Sequence, residues 1–137
     1  MANRQMTRFL RAKLLDISNG KTTWAPTSVW FGLSKTNPDL DGVLTGEPTS
    51  NGYARLALTT NMAVTNTDGV ATNANKMQFA TASGPWSDAA MAYWFTVDSA
   101  TAQAGNVLWF GPLPSPIVVN TGDAPPVNVG NVDIRLV

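Results

Sequence analysis

The chain has 137 residues, nine basic and nine acidic side chains, no His and no Cys. The length suits one domain that buries roughly two-thirds of its unfolded surface, and zero net charge argues against a nucleic-acid binder working through a basic surface. Without Cys there are no disulfides, thiolate zinc sites or cysteine nucleophiles, and without His the commonest general base and transition-metal ligand are gone, leaving carboxylate chemistry, oxygen-ligated metals or no chemistry.

At the N-terminus no apolar run follows the positive charges, so no secretory signal is predicted, and no apolar stretch has the length of a bilayer span. The chain is therefore expected to be made and used without export. Residues 4–19 read as an amphipathic helix, with Met6, Phe9, Leu10, Leu14 and Ile17 forming an apolar stripe. Asn3 is placed to cap its start, and Gly20 to end it in a left-handed conformation. Arg4, Arg8 and Arg11 make a second, basic stripe, and five of the nine basic residues fall within the first 21 positions.

Beyond Gly20 the composition turns to Thr, Asn, Gly and Pro, the pattern of an all-β region rich in turns. Strands are predicted near Ser28–Leu33, Tyr53–Thr59, Met77–Ala80, Met91–Val97, Val107–Gly111, Ile117–Val119 and Val132–Val137. In the last, Val132, Ile134 and Leu136 point one way and Asp133 and Arg135 the other. Residues 60–76, rich in Thr, Asn and Ala with little apolar content, read as a long exposed loop or a polar edge strand. The expected architecture is one domain over 1–137: an N-terminal amphipathic helix in 1–20 and a β-sandwich, jelly-roll-like, in 21–137.

Three strands carry adjacent large residues: Trp30-Phe31, Tyr93-Trp94-Phe95 and Trp109-Phe110. Neighbours in a strand face opposite sides of the sheet, so both faces must be covered there. A second sheet is one cover and the helix another; a partner protein is the remaining candidate, since Trp and Tyr anchor interfaces. Trp24 and Trp86, beside Pro26 and Pro85 in loops, are the aromatics most expected to be exposed.

Candidate chemistry is thin. Asp39 and Asp41 sit two apart in a turn, which makes no cleft for paired-carboxylate hydrolysis, and a solvated turn accounts for them. Asp-x-Asp-Gly there resembles the start of a calcium loop, but Val43 and Ser50 stand where the EF-hand spacing needs oxygen ligands. Ser and Thr have no His partner, and no G-x-S-x-G or phosphate-binding Gly-rich loop is present. No enzyme activity, cofactor or metal is expected. The Arg4/Arg8/Arg11 stripe is read either as a solvated helix face or as a contact with an acidic partner.

The ordered motifs carry a resemblance. An amphipathic helix ending Lys-Leu-Leu-Asp precedes Trp24-Ala25-Pro26 and the strand Val29-Trp30-Phe31-Gly32-Leu33-Ser34. Then come Thr36-Asn37-Pro38, Gly52-Tyr53-Ala54-Arg55, Phe79 with Gly84 and Trp86, Gly105-Asn106-Val107-Leu108-Trp109-Phe110-Gly111 and Gly122-Asp123. Over nearly its whole length the chain resembles small virion structural proteins of tailed bacteriophages, often labelled tail fibre proteins and similar to capsid decoration or cement proteins. The resemblance implies a non-enzymatic virion subunit, made in the host cytoplasm. It favours a decoration or cement protein that stabilises the head through contacts with the major capsid protein or neighbouring virion subunits. Homo-oligomers, trimers among them, are one arrangement; neither nucleic acid nor membrane is expected as a partner. Arg4, Arg8, Arg11, Trp24, Trp30 and Trp86 are the expected contact residues. The alternative is a tail fibre or tail-tip module that binds host surface glycan.

Overall fold

The computed structural model describes residues 4–63 and 65–136. Its centre is a five-stranded antiparallel sheet in the order β1-β7-β6-β2-β3: β1 is Gln5–Met6, β2 Trp30–Ser34, β3 Leu56–Ala57, β6 Met91–Val97 and β7 Val107–Ile117. Two two-stranded antiparallel ribbons complete the β structure. One pairs β4 (Val70–Thr72) with β9 (Asp133–Arg135), the other β5 (Met77–Gln78) with β8 (Pro126–Val127).

The adjacent aromatics are divided between the two faces of the sheet. On one face Phe31, Leu33, Met91 and Trp94 form a core with Met77, Phe79, Val127 and Val132 from the ribbons and their flanks, and Trp109 packs against it. On the other, Phe95, Val97, Val107 and Phe110 pack with Leu44, and Trp30 and Leu40 close over them. Phe31, Trp94 and Phe95 are all completely buried, each burial worth about 1.5–3 kcal/mol or more. The chain is thus an all-β sandwich whose second layer is two ribbons, while loop residues Leu40 and Leu44 cover the opposite face of the main sheet.

The helix differs from expectation at its start. Gln5 and Met6 pair with Phe110 and Trp109 as β1, and α1 runs only over Arg8–Ser18. Thr7 is the N-cap: its hydroxyl accepts from the Leu10 N–H at 3.3 Å and donates to the Val107 carbonyl at 2.6 Å. One buried side chain therefore starts the helix and holds it on β7. Asn3, the expected cap, lies outside the described residues. The predicted stop holds: Gly20 has φ +70, and the Gly20 N–H returns to the Ile17 carbonyl. Of the helix's side chains only Leu10 is buried, so the apolar stripe covers less of the sheet than its pattern implies.

β6 matches its predicted bounds, and β2 lies within two residues of them. The predicted Tyr53–Thr59 strand shrinks to Leu56–Ala57, and Met77–Ala80 to Met77–Gln78. Of the predicted Ile117–Val119 strand only Ile117 is extended structure in a sheet, as the last residue of the eleven-residue β7, while Val118 and Val119 lie in no strand. The 3-10 turn at Thr59–Asn61 runs into 60–76, and within that segment the half-buried Val70–Thr72 forms β4. Val132 and Ile134 face inward as the alternation predicts, while Leu136 is exposed and Val137 lies outside the described residues.

β1 covers only a short stretch of the β7 edge. Beyond Gly111, β7 carries Pro112, Pro114 and Pro116 at alternate positions. Each lacks a backbone N–H, and between Tyr93–Pro112 and Met91–Ile117 the register with β6 slips, so this stretch of β7 offers few ladder donors.

Packing is close around Gly32 in β2. A Cβ there would stand 2.7 Å from Tyr53 Oη and within 2.8 Å of the Phe95 ring, both held by the core. Gly32→Ala should therefore lower the unfolding free energy by about 1–3 kcal/mol in urea titrations, through overpacking of a strand interior. A neutral or stabilising result would contradict this packing.

Candidate functional site

The strongest polar constellation in the described residues is buried. Glu47 and Arg55 have fully buried side chains and form a forked ion pair: Arg55 Nη2 donates to Oε1 at 2.7 Å and Nε to Oε2 at 2.8 Å. Tyr53 Oη donates to Oε2 at 2.7 Å and the Gln103 backbone N–H to Oε1 at 2.5 Å. Arg55 Nη1 donates to the Ser99 and Ala104 carbonyls at 2.6 and 2.9 Å, and its guanidinium lies 5.4 Å from the Phe95 ring centroid. Tyr53 Oη also accepts from the Leu33 N–H at 3.2 Å, tying the cluster to β2.

The Gly-Tyr-Ala-Arg segment thus supplies a turn residue with φ +83 (Gly52), a phenol that bridges carboxylate to strand, and the guanidinium itself. Each charge is neutralised and hydrogen-bonded, the condition under which a buried pair is tolerated. Burial, followed by the neighbouring Glu47 charge, pushes the Tyr53 phenol well above its ordinary pKa. The carboxylate accepts four hydrogen bonds and the guanidinium donates four, so the cluster ties these loops together. Sequence reasoning did not connect Glu47 with Arg55. The partner lies eight residues away in another loop, and the spacing has no regular periodicity to reveal it.

Asp39 and Asp41 lie in an exposed turn. The Asp39 N–H donates to Asn37 Oδ1 at 2.9 Å, and Asp41 pairs with Arg8. Among the described residues no group of three or more His, Cys, Asp or Glu is placed to hold a metal ion, and no helix is long and apolar enough to cross a membrane.

The predicted contact residues are scattered. Arg4 precedes the helix, so the basic stripe is broken there; Arg4 is partly buried, 3.8 Å from Asp133, which is also bound by Arg135. Arg8 and Arg11 are exposed on α1. Trp24 is half-buried, edge-on to Phe9 at 5.7 Å. Trp30 is half-buried against the Phe95 cluster, with its indole N–H 3.3 Å from Ser28 Oγ. Trp86 corrects the expectation of exposure: it is 4% exposed, wedged edge-on between Tyr53 and Phe79 at 5.0 and 5.3 Å, because its loop folds over the core instead of projecting from it. The apolar surface that sequence did not single out is the distal half of α1, where Leu15 is 63% and Ile17 41% exposed.

Removing one partner of the buried pair, as in Arg55→Met or Glu47→Gln, should cost about 3–5 kcal/mol in denaturant titrations, and the double variant less than the sum. An additive double variant would deny the coupling. The raised Tyr53 pKa fixes a sign: the folded state keeps a proton that the unfolded chain releases near pH 10, so this contribution is intact below that pH and declines above it. Unfolding free energy should fall more steeply between about pH 9 and 11 in the wild type than in Tyr53→Phe. Parallel curves would contradict the assignment.

No curated protein matches the chain at significant sequence similarity. The sequence profile of one family, described as podophage GP4 fiber I protein gp80, matches residues 5–135, from β1 through β9. That match spans the sheet, the Glu47–Arg55 cluster and both ribbons. The chain therefore belongs to the podophage GP4 fiber I protein gp80 family and is a structural component of a tailed-phage virion.

Proposed function

We propose that the chain is a non-enzymatic fibre component of the virion that works by binding neighbouring subunits, copies of itself among them. The observation that carries this reading is the distal half of α1. Leu15 and Ile17 stand exposed on a helix whose only buried side chain is Leu10, and Arg11 and Lys21 are exposed on and just beyond it. Leu15 and Ile17 lie about 200° apart around the helix, so the exposed apolar surface wraps the helix end, and with the nearby cations it suits a partner that encloses that end and carries acidic groups at the rim. The family description supports a fibre over the head-decoration role first expected from sequence. Decoration would use the same kind of surface against the major capsid protein, so location separates the two.

Immunogold labelling of intact virions should place this protein on the tail apparatus; label over the head would replace the fibre reading with decoration. The double variant Leu15→Asp, Ile17→Asp should keep a Tm within about 4 °C of wild type, since both side chains are solvated, yet be lost from purified particles. Normal incorporation of that variant would move the contact elsewhere on the molecule.

A further inference from the structure

We propose that the cleft lined by Arg4, Arg11 and Arg135 is a docking site for an acidic peptide segment of a neighbouring subunit, one that carries aliphatic side chains beside its carboxylates. The inference rests on the reading of the chain as a subunit that works through contact, and it names the chemistry of one such partner.

The cleft has a volume of about 320 Å³ and lies where β1, α1, β7 and the end of β9 meet. Three of its lining residues are arginines and none is acidic. They come from opposite ends of the chain: Arg4 precedes β1, Arg11 lies on α1 and Arg135 ends β9. Like charges gathered around one opening repel, and an anion brought among them relieves that repulsion. Asp133 meets part of the charge. Arg135 donates to both of its oxygens at 2.8 Å, and Arg4 Nη2 stands 3.8 Å from Oδ1. Arg11 is exposed and makes no ion pair among the described residues. A further carboxylate has its natural place beside it.

Guanidinium groups match carboxylates and phosphates alike. The rest of the lining selects between them. Met6, Trp109 and Leu136 are apolar, and Leu136 is 55% exposed. Trp109 also lines a second cleft, whose walls include Val29, Met62 and Ile134. A bare phosphate would leave these side chains in water. A peptide that alternates acidic and aliphatic residues covers them and meets the arginines at once. The zero net charge of the chain disfavours a nucleic acid as the source of the anion. Arg11 lies four residues before Leu15 on α1, so the cleft adjoins the exposed apolar surface of that helix.

The frame around the cleft is fixed. Met6 pairs with Trp109, Thr7 holds the start of α1 on β7, and β9 pairs with β4. A peptide therefore has mainly side chains to order.

The test is a heteronuclear NMR titration of the ¹⁵N-labelled chain at low salt. The probes are the capped peptide Ac-Glu-Leu-Glu-Leu-Glu-NH₂, its neutral twin with Gln for every Glu, and inorganic phosphate, each to about 10 mM, a range that reads millimolar affinities. Trp109→Phe assigns the indole cross-peak. The expected result is a saturable shift of that peak and of the Arg11 Nε–H with the acidic peptide, and binding about tenfold weaker or less with the twin and with phosphate. Arg11→Gln with Arg135→Gln should weaken the acidic peptide about tenfold. Arg11→Gln alone, at a residue without an ion pair, should weaken it about threefold and keeps the test valid if loss of Arg135 loosens the β4–β9 ribbon. The contact reading itself is decided separately, by the Leu15/Ile17 variant in particles, so the two can fail independently. No saturable shift with the acidic peptide overturns the proposal. So does equal binding of the neutral twin, equal binding of phosphate, or an affinity unchanged in Arg11→Gln.

Discussion

The ion pair between Glu47 and Arg55 is the constraint on which the surrounding loops depend. Moving both groups out of water costs several kcal/mol per ion, and attraction alone does not recover it. Recovery comes from the hydrogen bonds around the pair: four to the carboxylate, two more from Arg55 to backbone carbonyls. Those partners lie in separate segments, so satisfying the pair fixes residues 47–55 against residues 99–104. Tyr53 extends the same network to Leu33 in β2. The loop that carries Leu40 and Leu44 over the Phe95 face is thereby held from its far end, and Thr7 holds its near side through the helix start on β7.

The sheet in turn explains why so many aromatic residues leave so little aromatic surface. Each adjacent pair sends one ring to either side, and each side has its own cover. Trp86 closes the ribbon side with Tyr53 and Phe79. What stays outside is aliphatic: Leu15 and Ile17 near the end of α1, and single residues such as Val118, Val129 and Leu136 elsewhere. The contact proposed for α1 lies on a helix whose start Thr7 holds on β7.

Some of this was legible in the sequence and some was not. Trp30-Phe31 and Trp94-Phe95 announce a sheet covered on both faces because strand geometry leaves no other arrangement. β6, seven residues of β-branched and aromatic character, gave its own bounds. Of the ribbon strands, β5 and β9 were foreshadowed in the sequence, whereas β4 and β8, of three and two residues, are too short for alternation to register. The start of α1 was misplaced because Met6 fits both a helical stripe and a strand. Pairing of Gln5 and Met6 with β7 decides the matter, and that pairing is between residues more than a hundred positions apart. The basic stripe failed for the same reason at Arg4. The Gly-Tyr-Ala-Arg segment was recognisable as a motif, yet its partner Glu47 was not, since only the fold brings that carboxylate to the guanidinium.

The prolines of β7 have a consequence for a molecule packed among many others. A bare strand edge is a template on which another chain can add, and local concentrations in an assembling particle favour such additions. Pro112, Pro114 and Pro116 each lack an N–H, so an incoming backbone along this stretch would find acceptors with few matching donors. Growth by strand addition there is disfavoured. Copies of the chain can then be crowded together and still sort by side-chain contacts, which have a defined stoichiometry, instead of by backbone pairing, which has none.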